Sequence, residues 1–160
     1  MTIEHVVEIQ SEVSLPEDLD LTYLRVAALA TLRQQRVENP VELTVVVSDD
    51  EALRALNRRF RGVDHTTDVL AFTNETRGPF GAGVSGQPRY LGDVVISLPQ
   101  AERQAAEAGA SLREELQLLI VHGTLHLLGY DHATATEKTR MWKVQARLME
   151  LLGIRLPLPD

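Results

Sequence analysis

The chain has 160 residues, 44% hydrophobic and 24% charged, an ordinary globular composition that excludes disorder and suffices for one core-bearing domain over residues 1–160. A formal net charge of −7 repels nucleic acid in bulk, so any RNA or DNA partner must be met by a local basic patch. The absence of cysteine excludes disulfides and thiolate metal sites and suits a reducing cytoplasm; the start MTIEHVVEIQ does not read as a signal peptide, and no apolar run approaches the ~20 residues that span a bilayer.

In chain order, VVEIQ at 6–10 alternates as a strand does, and Leu21, Leu24, Ala28 and Leu32 are spaced as in a helix running from Pro16 to Arg36. ELTVVV at 42–47 is a β-branched run suited to a buried strand. Ser48 to Glu51 reads as a capping box that opens a helix to about Phe60. DVLAF at 68–72 and YLGDVVISL at 90–98 read as strands, and between them the glycine-rich RGPFGAGVSGQPR reads as a mobile, hairpin-like loop. Ser97 to Gln100 opens a short helix that Gly109 closes. Ser111 to Glu114 opens the next, closed by Gly129, and Thr134 to Glu137 opens a last one that stops at Gly153. Four strands and about five helices, in one layer each, predict a small α+β or α/β domain built on a mixed sheet.

Residues 122–132 read HGTLHLLGYDH and contain three of the five histidines. His122 and His126 stand one helical turn apart, so their imidazoles share a face about 6 Å apart along the axis. His132 follows the Gly129 stop, where the chain can reverse and bring a third imidazole to the same point. A lone histidine on an apolar helix is ordinarily a satisfied core residue. Three at this spacing, beside Leu118, Leu119, Ile120, Leu125 and Leu128, would cost several kcal/mol if left unpaired. Three neutral nitrogens with an open fourth position describe a catalytic metal centre, whereas structural zinc sites take four protein ligands. The same HxxxHxxGxxH spacing occurs in metzincin peptidases, but there a glutamate directly follows the first histidine as general base, and here that position is Gly123.

Arg54, Arg58, Arg59 and Arg61 cluster within eight residues of an acidic chain, and a guanidinium fork suits the paired oxygens of a phosphodiester. A run of arginines at a helix end is also what a solvated face looks like. Asp68 and Asp93 lie inside apolar strand-like runs, where an acid needs a partner, and both read as supporting groups. Asp131 can orient a histidine, act on water or cap the turn. His65 sits in a polar loop near Arg61, within reach of a substrate, and His5 has no context.

HGTLHLLGYDH closely resembles the signature of the YbeY family of single-strand-specific, metal-dependent endoribonucleases that act in ribosomal RNA maturation and ribosome quality control. LNRRFRGVDHTTDVLAF at 56–72 and LGDVVIS at 91–97 resemble the family's two other recognisable segments, in the same order. Val63, Thr66 and Ala71 depart from that pattern. The resemblance implies one transition metal per chain, zinc, on His122, His126 and His132, and a catalytic or phosphate-binding role for Arg61. It also implies single-stranded ribosomal RNA as substrate, with small-subunit ribosomal proteins or an assembly GTPase as candidate guides, and no membrane. Two other readings compete: a zinc hydrolase of peptides, and a non-catalytic ribosome-assembly factor whose structural metal takes Asp131 as fourth ligand.

Overall fold

A parallel β-branched core organises the fold. In the computed structural model, which describes residues 3–74 and 88–156, strands β1 (Val6–Ser11), β2 (Val41–Ser48), β3 (Val69–Thr73) and β4 (Arg89–Ser97) form one sheet in the order β1-β2-β4-β3. β1, β2 and β4 are mutually parallel and β3 runs antiparallel to β4, so the sheet is mixed, as expected. Leu43, Val45 and Val47 on β2, with Val94 and Ile96 on β4, send fully buried side chains to one face. That face is covered by α1 (Leu21–Gln34), α4 (Leu112–Leu127) and α5 (Ala135–Leu152), with α3 (Leu98–Ala108) packed along α4. Each of these large aliphatic side chains contributes roughly 2 kcal/mol of transfer free energy.

The helices do not form one layer. α2 (Asp50–Arg61) packs on the opposite face, where Leu53 meets Leu70 and Val95. The period of two makes this possible: Val46 and Val95, between residues committed to the main core, point the other way. Some boundaries also differ from the sequence reading. α1 starts at Leu21 because Asp20 caps it, accepting from Thr22 N, while Pro16 belongs to a preceding turn. Asp49 rather than Ser48 caps α2, since Ser48 is still paired with Ser97 in the sheet. Leu98 belongs to α3, whose cap is Ser97. α4 and α5 both open on the anticipated capping boxes. The glycine-rich RGPFGAGVSGQPR lies almost wholly outside the described residues. No helix among the described residues is long and apolar enough to cross a membrane.

Two glycines set close approaches. Gly123 on α4 faces β4 so tightly that a Cβ there would lie 2.5 Å from Val94 Cγ1. Gly92 has φ +146°, and a Cβ there would lie 2.2 Å from the Phe72 carbonyl oxygen. It adjoins the point where the β2–β4 register slips, with Glu42 opposite Tyr90 but Leu43 opposite Gly92. The extra residue, Leu91, turns Tyr90 to the same face as Asp93. There the Tyr90 hydroxyl donates to Asp93 and lies 2.7 Å from Thr44 Oγ1.

Gly123→Ala should lower stability by about 1 to 3 kcal/mol through overpacking. Denaturant unfolding of Gly123→Ala, Val94→Ala and the double variant should show favourable coupling, because removing the Val94 methyls makes the room the alanine needs. A second outcome follows from Tyr90, whose hydroxyl is pushed up to about 12 by burial and by the bond to Asp93. A raised acid pKa means stabilisation that is complete below about 10, the unfolded value, and lost as pH rises through about 12. Phenolate absorbance should show one late-titrating tyrosine, absent in Tyr90→Phe, and that variant should lose the part of alkaline unfolding that tracks it.

Candidate active site

Helix α4 is apolar on nearly every side, and two of its few polar side chains make the site. His122 and His126, on successive turns, are half-buried. At the C-terminal end Gly129 takes φ +101°, and its N–H and that of Tyr130 bond back to the His126 and Leu125 carbonyls. The chain therefore reverses as soon as the helix ends. The Tyr130 hydroxyl donates to Gln35 Oε1 at the end of α1, and Asp131 Oδ1 accepts from His132 N at 2.7 Å. This anchored turn delivers His132, which is exposed, to the two helical histidines.

One ligand-capable nitrogen of each imidazole lies within 4.8 Å of the other two, and Nε2 of His122 and His126 are 3.1 Å apart. His122 Nδ1 donates to Gln145 Oε1 at 2.9 Å, so its proton is held on the far side and the Nε2 lone pair faces its neighbours. Trp142 sets its ring against His122 and His132, with centroids 5.8 and 5.5 Å away. Burial, reinforced by the other two imidazoles, pushes His126 down to about 4, and burial also lowers His122. These two imidazoles are thus neutral at physiological pH, as metal binding would require. Ring nitrogens this close share either a proton or a cation, and three of them within 4.8 Å of one another fit a metal ion.

Beside the histidines a cleft of about 440 Å³ opens toward α2, bordered by Asn57, Arg61, His65, Asp68 and Asp131. Arg61 is exposed at the last position of α2, where Gly62 in the left-handed region (φ +69°) ends the helix. Its charge is near enough to contribute to lowering His126. Buried Asn57 donates from Nδ2 to the His65 carbonyl at 3.0 Å and so fixes the following loop. Asp68 is half-buried, with Oδ1 accepting from Val69 N and Oδ2 from Gln104 Nε2.

The structure thus brings Arg61, His65, Asp68 and Asp131 to the three histidines. Asp93 is not among them: Val94 points at α4, so Asp93 points to the other face, where Tyr90 satisfies it. Of the clustered arginines, only Arg61 borders the histidine cleft. Arg54 is locked bidentate to Asp64 at 2.9 and 3.3 Å, and Arg59 lies over the Phe60 ring. His5, just before the edge strand β1, accepts from Val41 N and does not line the cleft. Sequence reasoning missed Gln145, Trp142, Gln104 and Glu115, all of which border the histidine region. The only signal for Gln145 was a glutamine in the buried stripe that contains Met141 and Leu148.

Residues 6–153 match the family model described as Endoribonuclease YbeY. Among similar proteins, the endoribonuclease YbeY of Moorella thermoacetica is 42% identical over 148 residues, covering 91% of this chain and 94% of its own length. That of a Roseiflexus species is 38% identical over 152 residues, covering 94% and 95% respectively. A solution structure of TM1509 from Thermotoga maritima superimposes with a TM-score of 0.57 at 23% identity, over 92% of this chain and 89% of that one, and shares the fold. Extended identity along nearly the whole chain, in a fold that gathers the three signature histidines, means that the chain belongs to the YbeY endoribonuclease family.

Proposed function

We propose that residues 1–160 form a single endoribonuclease domain that hydrolyses phosphodiester bonds of single-stranded ribosomal RNA in the cytoplasm, with one zinc ion held by His122, His126 and His132. The observation that carries this reading is the convergence of three imidazole nitrogens and the Arg61 guanidinium on one open cleft. When bound, the ion supplies Lewis acidity at a phosphoryl oxygen and acidifies water. The chain's own groups do the rest. Gln145 holds the His122 proton on Nδ1, away from the centre. Arg61 donates its fork to the non-bridging phosphoryl oxygens, whose negative charge grows toward the transition state. An unpaired strand reaches such a cleft without the cost of opening a duplex.

Neither competing reading finds its key group here. In a peptidase the general base would stand at position 123, where the backbone presses on Val94 and no side chain fits. A closed structural site needs a fourth ligand. Among the described residues only the three histidines converge, and Asp131 is bonded to the His132 backbone. The acidic net charge does not oppose RNA as such, since Arg61 and, at the other end of the histidines, Lys138 lie at the cleft. With so few cations, binding has a shallow salt dependence.

Purified protein should carry about one transition metal ion per chain, as metal analysis would show, and zinc should restore activity after chelation. His126→Ala should lose the metal; full occupancy in that variant would refute the ligand assignment. Arg61→Ala should keep fold and metal content yet cut single-stranded RNA roughly two to three orders of magnitude more slowly, a loss of about 3 to 4 kcal/mol of transition-state stabilisation. Arg61→Lys should recover little, because a point charge does not reproduce the fork. Wild-type rates in Arg61→Ala would remove the arginine from the mechanism.

A further inference from the structure

The histidines border a second lobe of the cleft, of about 420 Å³, that the reaction as described does not use. Its size is that of a small-ligand pocket. Leu118, Leu119, Leu156 and the Trp142 ring give it apolar walls, and half-buried Lys138 stands at its rim, 5.7 Å above the Trp142 ring. Glu115, only 4% exposed, also lines it.

The Glu115 carboxyl is held by an amide and, among the described residues, has no cation beside it. Gln104 Nε2 donates to Glu115 Oε1 at 2.7 Å and reaches Asp68 Oδ2 at 3.3 Å. Gln104 cannot flip to present its oxygen, because that oxygen accepts from Gln100 Nε2. Among the described residues no cation pairs with Glu115, and burial pushes its carboxyl above the ordinary range. A carboxyl this buried is costly in its charged form unless further donors reach it. A polar group without a partner borders the same lobe: fully buried Gln145 uses its oxygen for His122, and its Nε2 has no acceptor.

Apolar walls and an indole ring beside a buried carboxyl suit a nucleobase better than a phosphate. Glu115 precedes His122 by seven residues on α4, about 10 Å along the axis. That is comparable with the span from a nucleotide's phosphate to the base-pairing edge of its base. We propose that this lobe receives the base of the nucleotide next to the scissile phosphate, and that Glu115, positioned by Gln104, selects bases bearing an exocyclic amino group over uracil. The placement of the phosphate rests on the ribonuclease reading above. Cytosine N4, adenine N6, and guanine N1 and N2 carry hydrogens that a carboxylate accepts. Uracil offers a single N–H, at N3, flanked on both sides by carbonyl oxygens that a carboxylate repels, and no amino group.

Trp142 is the only tryptophan in the chain, so its fluorescence reports occupancy of the lobe without any cleavage. Titration of the wild-type protein with CMP, AMP, GMP and UMP, which share the ribose phosphate, should give affinities about tenfold weaker for UMP than for the other three. Glu115→Gln keeps an oxygen to accept from Gln104 but presents N–H donors to the lobe, and it should tighten UMP while weakening the amino-bearing nucleotides. Equal affinity for all four in the wild type, or discrimination unchanged in Glu115→Gln, overturns the proposal. Mapping cleavage sites on a mixed-sequence single strand separates the two readings. Nucleotide discrimination by a protein that cuts no RNA upholds the pocket and removes the nuclease, whereas cutting beside every base alike upholds the nuclease and removes the pocket.

Discussion

The contact of Gly123 with Val94 governs the site. With no Cβ at 123, α4 settles against β4 at a distance no other residue permits, and the leucines on either side fill the space between the sheet, α1 and α5. This close seating half-buries His122 and His126 and fixes them at the edge of the core, not out on a solvated face. Every later property of the centre, including the neutrality of these imidazoles and their orientation by Gln145, depends on that depth. The same glycine removes the position from which a peptidase would deprotonate water, so one packing constraint both builds this centre and sets it apart from a chemistry with a similar histidine spacing.

Electrostatically, the site works by exception to its surroundings. The chain is acidic overall, and the cleft itself mixes Arg61 and Lys138 with Asp68, Glu115 and Asp131. Such a lining gives weak attraction at long range and strong selection at contact. Affinity for a polyanion then depends on a few placed charges, while the carboxylates favour groups that donate hydrogen bonds. Arg54 shows the contrast: paired to Asp64 in the same helix-loop unit, it is spent on holding the loop, which leaves Arg61 to face the cleft. The two-sided covering of the sheet matters here, because α2 lies on the other face from α4 and its last residue is brought round the sheet edge to meet the histidines.

Much of this was written in local sequence. Capping boxes at Ser111 and Thr134 and glycines at 109 and 153 fixed helix limits because they act on the nearest few backbone groups. The i, i+4 spacing of His122 and His126 with the Gly129 stop foretold a three-nitrogen centre, since helix geometry and a glycine reversal need no distant partner. Asp49 displacing Ser48 as a cap was not legible, because it depends on Ser48 being held by strand pairing across the sheet. Tertiary structure alone decided that Asp93 turns away from the cleft, and that Gln145, Gln104 and Glu115 come from separate helices to border it. Those outcomes depend on which face of a strand a side chain takes and on how helices far apart in sequence pack together. Local spacing encodes neither, because both follow from burying the whole apolar core at once.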